Sequence, residues 1–247
     1  MNIKYFTNAM LLIEGKNTKV LSDPWITFNN NSDSNYYNFP ENNFTQKQIK
    51  NIKPDYIYIS HSHPDHYDLK TLNLFGKNVK IIIAKFDNNY LEKGLLGRGF
   101  KNILVADENG LIKLNKGDFA YIKPATTTEE LDSISFFQID NKNIINLNDN
   151  IENYNQSKFI KKKFNKIDIA LLPYCGFGVY PLKYSNLNNQ QKLLAAKNKK
   201  QKNRENFLRY IKILEPKFVI PFAGEVILAG NIANSFDKFS GIGTKTD

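Results

Sequence analysis

All three histidines of the chain lie within six residues of one another, at His61, His63 and His66, and Asp65 lies among them. In an extended loop, side chains two residues apart point to the same side, so His61 and His63 can reach one metal ion. Past Pro64 the chain turns, and Asp65 and His66 can then address a second position close by. We therefore expect this segment to form a metal site.

Imidazole and carboxylate groups together suit zinc, iron or manganese. Such an ion polarises a scissile bond and lowers the pKa of a bound water towards ~7. The segment predicts a divalent metal cofactor, one or two ions, with zinc favoured and iron or manganese as alternatives. A polar turn with solvated histidines is the other interpretation, and it requires chance clustering of a rare residue.

The elements around the segment indicate how it is positioned. Residues 56–60 form a β-branched and aromatic run that predicts a buried strand, which delivers the histidines at its carboxyl end. Helices are expected at 68–75 and 88–95, around a strand at 79–84. Further strands are predicted at residues 3–6, 10–14, 18–22, 119–122, 133–139, 143–147, 167–172 and 217–222.

The second half of the chain contains the pattern of a long amphipathic helix over residues 188–214. Its predicted apolar side consists of Leu193, Leu194, Phe207, Leu208, Ile211 and Leu214. The polar, aromatic stretch 27–43 is either a functional lid or rim, or disordered. No linker or repeat is evident, so we predict a single α/β domain over residues 1–247, with two packed sheets flanked by helices.

The chain resembles a known family at this point. His61-Ser62-His63-Pro64-Asp65-His66 matches the HxHxDH signature of metallo-β-lactamase-fold hydrolases. Residues 8–14 and 20–25, with Asp23-Pro24-Trp25, look like the opening of the branch containing ascorbate-6-phosphate lactonases, N-acyl-phosphatidylethanolamine phospholipases D and CMP-N-acetylneuraminate hydroxylases. Residues 146–149 are similar to the segment carrying the family's bridging aspartate. Residues 178–181 and 220–224 look most like the hydroxylase-like members.

This resemblance implies an αββα four-layer sandwich and specific roles. His61 and His63 would bind one metal, Asp65 and His66 the other, and Asp149 would lie between them. Asp65 and Asp149 are the expected catalytic residues, with Asp65 acting as a proton acceptor if one ion is bound. Asp23 would be a carboxylate that orients a ligand histidine.

The chain departs from the family pattern in two respects. Family members with a full dinuclear site supply two more histidines from later loops, and this chain has only three. Other oxygen ligands could substitute for them, namely Glu129, Glu130, Asp132 and Glu225. The hydroxylase relatives also carry a Rieske iron–sulfur domain, which needs paired cysteines and histidines. Because these 247 residues contain one cysteine, Cys175, electrons for oxygen chemistry would have to come from a separate protein.

The amino-acid composition limits the kinds of partner and the cellular compartment that we expect for the protein. A net charge of +10 favours anionic partners, although the two lysine-rich clusters at 161–163 and 197–204 are most simply solvated helix faces. The lone Cys175 fits a reducing compartment and is expected to be a buried small side chain. The amino terminus has no secretion signal and no apolar run of membrane-spanning length, so we expect a cytoplasmic protein without a membrane span.

The favoured hypothesis is a metal-dependent hydrolase of a phosphorylated or otherwise anionic small molecule, such as a sugar phosphate, a nucleotide sugar or a phospholipid-like ester. Tyr174, Tyr180, Lys183 and Tyr184 are candidate substrate contacts, since they follow a predicted strand in a loop at the expected cleft. Alternatives are an iron-dependent oxygenase component, a nucleic-acid-processing metallo-hydrolase and a non-catalytic relative. Against nucleic acid, no aromatic residues interleave the basic stretch 197–204. The sequence does not indicate an oligomeric state.

Overall fold

The structure is a computed structural model that describes residues 1–27, 36–38, 43–126, 132–176, 178, 180–223, 226–228 and 238–241. The described strands are β1 (Asn2–Thr7), β2 (Met10–Glu14), β3 (Lys19–Ser22), β4 (Tyr36–Asn38), β5 (Tyr56–Tyr58), β6 (Lys80–Ile83), β7 (Asn102–Val105), β8 (Leu111–Lys113), β9 (Phe119–Pro124), β10 (Ser133–Ile139), β11 (Lys142–Asn146), β12 (Ile169–Pro173), β13 (Phe218–Phe222) and β14 (Val226–Leu228). The helices are α1 (Gln46–Lys50), α2 (Leu69–Asn73), α3 (Tyr90–Gly97), α4 (Tyr154–Phe164) and α5 (Asn189–Leu214).

Two six-stranded mixed sheets form the centre of the fold. The first has the strand order β1-β2-β3-β5-β6-β7, and the second has the order β13-β12-β11-β10-β9-β8. In each sheet an antiparallel meander continues into parallel strands, which are joined to it through crossover connections. Strands β4 and β14 form a separate two-stranded ribbon.

Alternating residues of the second sheet face two different cores. On β10 and β11, Phe137 and Ile144 belong to a core shared with the first sheet. Their neighbours Phe136 and Ile145 belong to a core that contains residues of α4 and α5. Residues of α2 and α3 complete the core on the side of the first sheet. This layering of helix, sheet, sheet and helix confirms the predicted αββα sandwich.

The predicted apolar side of α5 is partly wrong. Leu193, Leu194 and Leu208 are exposed, whereas Leu214 is buried as expected. The buried side of this helix consists of Ala196, Asn203, Asn206, Tyr210 and Leu214. Polar asparagine side chains therefore occupy positions that face the interior, and a search for apolar periodicity could not recognise them.

Several short elements were not predicted, namely α1, α4, β4, β7, β8 and β14. Residues 36–38 within the polar stretch 27–43 form β4, and the rest of that stretch from residue 28 to 42 lies outside the described residues. None of the helices in the described part of the chain combines the length and hydrophobicity that a membrane crossing needs.

Candidate metal centre

The site is built where strands from both sheets end. Strand β5 of the first sheet ends at Tyr58, and Ile59 and Ser60 connect it to His61. Strand β11 of the second sheet ends at Asn146, and Asp149 follows it. Because both are strands with parallel neighbours, their carboxyl ends open onto loops at which ligands commonly bind.

The histidine segment is folded as a tight turn after its extended start. The backbone N–H groups of His66 and Tyr67 both donate to the carbonyl of His63, at 3.0 and 2.8 Å. Pro64 occupies the position of the turn where its fixed φ is favourable. The turn brings Asp65 and His66 beside the two preceding histidines, as the sequence predicted.

A second turn positions Asp149. The side-chain oxygen of Asn146 accepts a hydrogen bond from the backbone N–H of Asn148 at 2.9 Å. Asn148 is in the left-handed region with a φ of 48°, which asparagine tolerates better than most residues. The buried amide of Asn148 also donates to the hydroxyl of Tyr58 at 3.2 Å and so ties this turn to the first sheet.

Five side chains form two overlapping groups with the composition of metal ligands. His61, His63 and Asp149 form one group, and Asp65, His66 and Asp149 form the other. Within each group, one ligand atom from every residue lies within 4.8 Å of the others. Asp149 belongs to both groups, so its carboxylate lies between the two positions.

Each of two histidines has one ring nitrogen beside a carboxylate and the other directed towards the remaining ligands. Nδ1 of His66 lies 3.0 Å from Oδ2 of the buried Asp23, and Nδ1 of His61 lies 3.2 Å from Oδ1 of Asp132. A carboxylate accepts hydrogen bonds only, so Nδ1 carries the proton in both rings. The Nε2 atoms of His61 and His66 are therefore available as ligands.

Ser60 joins these two histidines. Its backbone N–H and hydroxyl donate to the two oxygens of Asp23, at 2.8 and 2.9 Å. The hydroxyl oxygen lies 2.9 Å from Nδ1 of His61 and 3.2 Å from Nδ1 of His66. Asp23 reaches this place because its backbone is left-handed, with a φ of 41°. Sequence reasoning gave Ser60 no role, although a small hydroxyl residue directly before the motif was visible.

Asp132 and Asn8 also take positions that the sequence did not assign. Asp132 was a candidate substitute ligand, and instead it lies behind His61, where it also accepts from the amide of Asn150 at 2.9 Å. The amide of Asn8 donates to Oδ2 of Asp65 at 3.3 Å. Glu129, Glu130 and Glu225 lie outside the described residues.

The charges of the cluster shift the pKa values of its members. Burial lowers the pKa of His66, but Asp149, Asp65 and Asp23 outweigh burial and hold this pKa well above its ordinary value. Burial and His66 oppose protonation of His61, but Asp132 and Asp149 together outweigh them and raise its pKa. Burial and His61 lower the pKa of His63. Burial opposes ionisation of Asp149, but His66, with His61 and His63, outweighs burial, so the pKa of Asp149 falls to about 2.

The donor set fits divalent cations. Nε2 of His66 is buried and has no hydrogen bond, with Oδ2 of Asp149 at 3.3 Å and Oδ2 of Asp65 at 3.6 Å. Nε2 of His61 and Nδ1 of His63 face each other at 2.8 Å. When the imidazoles are neutral, the net charge of the cluster is −4, from the carboxylates of Asp23, Asp65, Asp132 and Asp149. Two divalent ions would neutralise this charge.

The candidate substrate contacts lie in the loop after β12. The rings of Tyr180 and Tyr184 form an edge-to-face pair with centroids 4.9 Å apart, and both are exposed, as is Lys183. Tyr174 lies next to Cys175 and lines a small cavity together with Ile151, two residues after Asp149. Cys175 is buried, as expected.

The family profile described as beta-lactamase superfamily domain matches residues 2–223. The chain belongs to this family. The predicted family and fold are thereby confirmed. The match ends before the last residues, so a single domain over residues 1–247 stays a prediction.

Three similar proteins illustrate what the chain resembles. A Mycolicibacterium smegmatis protein, named among the Rieske 2Fe-2S iron-sulfur proteins, is 24% identical over 91% of this chain and 43% of its own length. A metal-dependent hydrolase of Ligilactobacillus salivarius is 28% identical over 52% of this chain and 50% of its own length. A Veillonella parvula structure, described as a possible metal-dependent hydrolase, has a TM-score of 0.60 at 14% identity and covers 92% of this chain and 98% of its own. The chain thus spans less than half the length of the Mycolicibacterium relative.

Proposed function

We propose that this protein is a metal-dependent hydrolase that acts on an anionic small molecule carrying an ester or phosphoester bond. The observation that carries the proposal is the shared position of Asp149 between the pair His61 and His63 and the pair Asp65 and His66. The name of the Ligilactobacillus relative supports the same reaction class. Bound divalent ions would polarise the scissile bond and lower the pKa of the attacking water.

The chain's own residues prepare this chemistry. Asp23 and Asp132 hold the protons of His66 and His61 on Nδ1, so that Nε2 of each ring points a lone pair into the site. Asp65 is half-buried and accepts a hydrogen bond from the amide of Asn8, and with one ion bound its carboxylate would serve as the proton acceptor instead of a ligand.

Cations around the loop after β12 support an anionic substrate. Lys199 donates to the carbonyl of Tyr180 at 3.1 Å, and Lys192 donates to the carbonyl of Leu182 at 3.0 Å. Together with the exposed Lys183 they gather three cations around the loop that carries Tyr180. We propose that Tyr174, Tyr180, Lys183 and Tyr184 contact the substrate from this loop.

Elemental analysis of the purified protein, combined with hydrolysis assays on phosphomonoesters, phosphodiesters and sugar lactones, tests the proposal. We expect one or two equivalents of zinc, iron or manganese, and a hydrolytic activity that chelation removes and metal restores. His63→Ala and Asp149→Ala should lose both metal and activity, whereas the exposed Asp87→Asn should keep both. A folded protein that takes up none of these metals would overturn the proposal.

An iron-dependent oxygenase component is the second candidate. It is favoured by the Mycolicibacterium relative, which matches 91% of this chain and is named as an iron–sulfur protein. The single cysteine means that these 247 residues cannot hold a Rieske cluster themselves. Iron as the resident metal, with oxygen consumption that requires an added electron donor and no hydrolysis of the ester panel, would select this candidate.

A further inference from the structure

The positive charge of the chain is concentrated on two helices. Helices α4 and α5 together contain twelve lysine and arginine residues and one acidic residue, Glu205. Their net charge of +11 exceeds the +10 of the whole chain, so the remaining residues together carry −1. A general lysine bias would affect the whole sequence, whereas here the excess lies in one layer of the fold.

Contacts between the helices make this layer one continuous surface. The hydroxyl of Tyr154 donates to the side-chain oxygen of Asn206 at 2.5 Å, and the guanidinium of Arg209 lies 4.0 Å from the ring centroid of Tyr154. Farther along, Lys161 forms a 3.3 Å salt bridge with Glu215, just after α5 ends. The two helices therefore run side by side in the same direction, with their inner sides on the second sheet.

The outward side of this layer combines cations with large apolar side chains. Lys158 and Lys162 are exposed on α4, and Arg204 and Lys212 are exposed on α5. Between the cations, Phe159 is 53% exposed and Leu208 is 46% exposed. A side chain of this size at the surface of a charged helix is suited to insertion between lipid headgroups, where the neighbouring lysines attract anionic lipid.

We propose that the α4–α5 layer binds an anionic lipid surface. The outward residues named above are not among the candidate metal ligands or substrate contacts, and the inference does not depend on the proposed hydrolase function. Ten of the twelve cations are lysines and two are arginines. Lysines act as point charges without the fork geometry of arginine, which suits attraction to a charged surface better than recognition of individual phosphates along a nucleic acid.

Vesicle sedimentation with the whole chain tests the proposal. The protein should bind vesicles that contain phosphatidylglycerol and should not bind vesicles of pure phosphatidylcholine. The binding should weaken as the salt concentration is raised. In one variant Lys158, Lys162, Arg204 and Lys212 are replaced by Gln. Each cation near an anionic surface is worth about fivefold in binding, so the loss of four should weaken binding by up to about 600-fold.

The matched control replaces four exposed lysines elsewhere, Lys47, Lys50, Lys101 and Lys113, by Gln, and changes the net charge equally. It should retain most of the vesicle binding. Equal losses in the two variants, or no loss in either, would overturn the assignment to this layer.

A second pair of variants separates lipid from nucleic acid. Phe159→Ser with Leu208→Ser should weaken vesicle binding, while Leu96→Ser with Leu111→Ser, exposed on other elements, should not. Duplex DNA and RNA are titrated in parallel at the same salt concentration. Tighter binding to a nucleic acid than to the anionic vesicles, unaffected by the Phe159 and Leu208 changes, would replace the lipid proposal with a nucleic-acid surface.

Discussion

Replacement of Asp23 by asparagine isolates the orientation of one histidine from the rest of the site. Asp23 is fully buried and accepts from the N–H and hydroxyl of Ser60 and from Nδ1 of His66. The change Asp23→Asn preserves the shape of the side chain, and asparagine also tolerates the left-handed φ of 41°. The new amide can still accept from the Ser60 N–H, but its NH₂ group now faces His66.

An amide N–H cannot accept the proton on Nδ1 of His66, so we expect the ring to carry its proton on Nε2 instead. Nε2 is the atom that faces Asp65 and Asp149, and a protonated Nε2 cannot bind a metal. The group Asp65, His66 and Asp149 then loses one of its three ligands. Loss of a carboxylate behind a ligand histidine costs about 10–100-fold in metal affinity, or about 1.4–2.8 kcal/mol.

The matching change in the other ligand group, which contains His61 and His63, is Asp132→Asn, because Asp132 contacts Nδ1 of His61. Competition with a chelator, followed by metal analysis, should show that Asp23→Asn weakens the ion held by His66 and that Asp132→Asn weakens the ion held by His61. Asp87→Asn serves as the control. If Asp23→Asn folds and retains metal as tightly as the unchanged protein, the assigned tautomer of His66 is wrong.

Three further predictions concern the charge of the site and the packing of the two sheets against each other. In the metal-free protein the pKa values of His61 and His66 are raised, so the stability that their protonation contributes is present below the ordinary value of 6.5 and lost as the pH rises through the raised values. Thermal unfolding after chelation should therefore show falling stability above neutrality, and a flat profile there would contradict it. Tyr58→Phe removes a fully buried hydroxyl that lies 2.8 Å from Oγ of Ser133, and should lower the free energy of unfolding by about 1–3 kcal/mol in denaturant titrations, with an unchanged value counting against that contact. Gly15→Ala places a Cβ 2.4 Å from a methyl of Ile139 and should cost about 1–3 kcal/mol by the same measurement; an unchanged free energy of unfolding would count against this close packing.

Two of the strands with both faces buried were predicted to the residue, whereas others, such as β5, differ from their predicted bounds by one or two residues. Strands β2 and β10 match the predicted ranges 10–14 and 133–139, and nearly every side chain in them is buried. Helix α4 was missed because only Ser157 and Ile160 are buried in it, which leaves no apolar stripe to read. Strands β7 and β8 are short and lie at sheet edges, where burial constrains the sequence least.

The candidate ligands were recognisable because four of the five fall in one segment of six residues. The residues that orient them were harder to recognise, since each contact depends on which strands lie side by side. Asn8 and Asp65 are separated by 57 residues, and Ser60 accepts at its carbonyl from Ser133, 73 residues away. Asp132 was proposed as a ligand because sequence shows residue types but not which side of a histidine a carboxylate reaches.

The origin of the ligands in two sheets implies that metal binding and folding are coupled. The histidines follow a strand of the first sheet, whereas Asp149 follows a strand of the second, so an ion held by both joins the sheets directly. Buried hydrogen bonds already cross the same interface, from Ser133 to the carbonyl of Ser60 and from Asn146 to Ser22. A ligand that binds only the folded state at 100 times its Kd stabilises it by about 2.7 kcal/mol. Because the apposed carboxylates repel each other when the imidazoles are neutral, this stabilisation should be largest above neutral pH, where the metal-free protein is weakest.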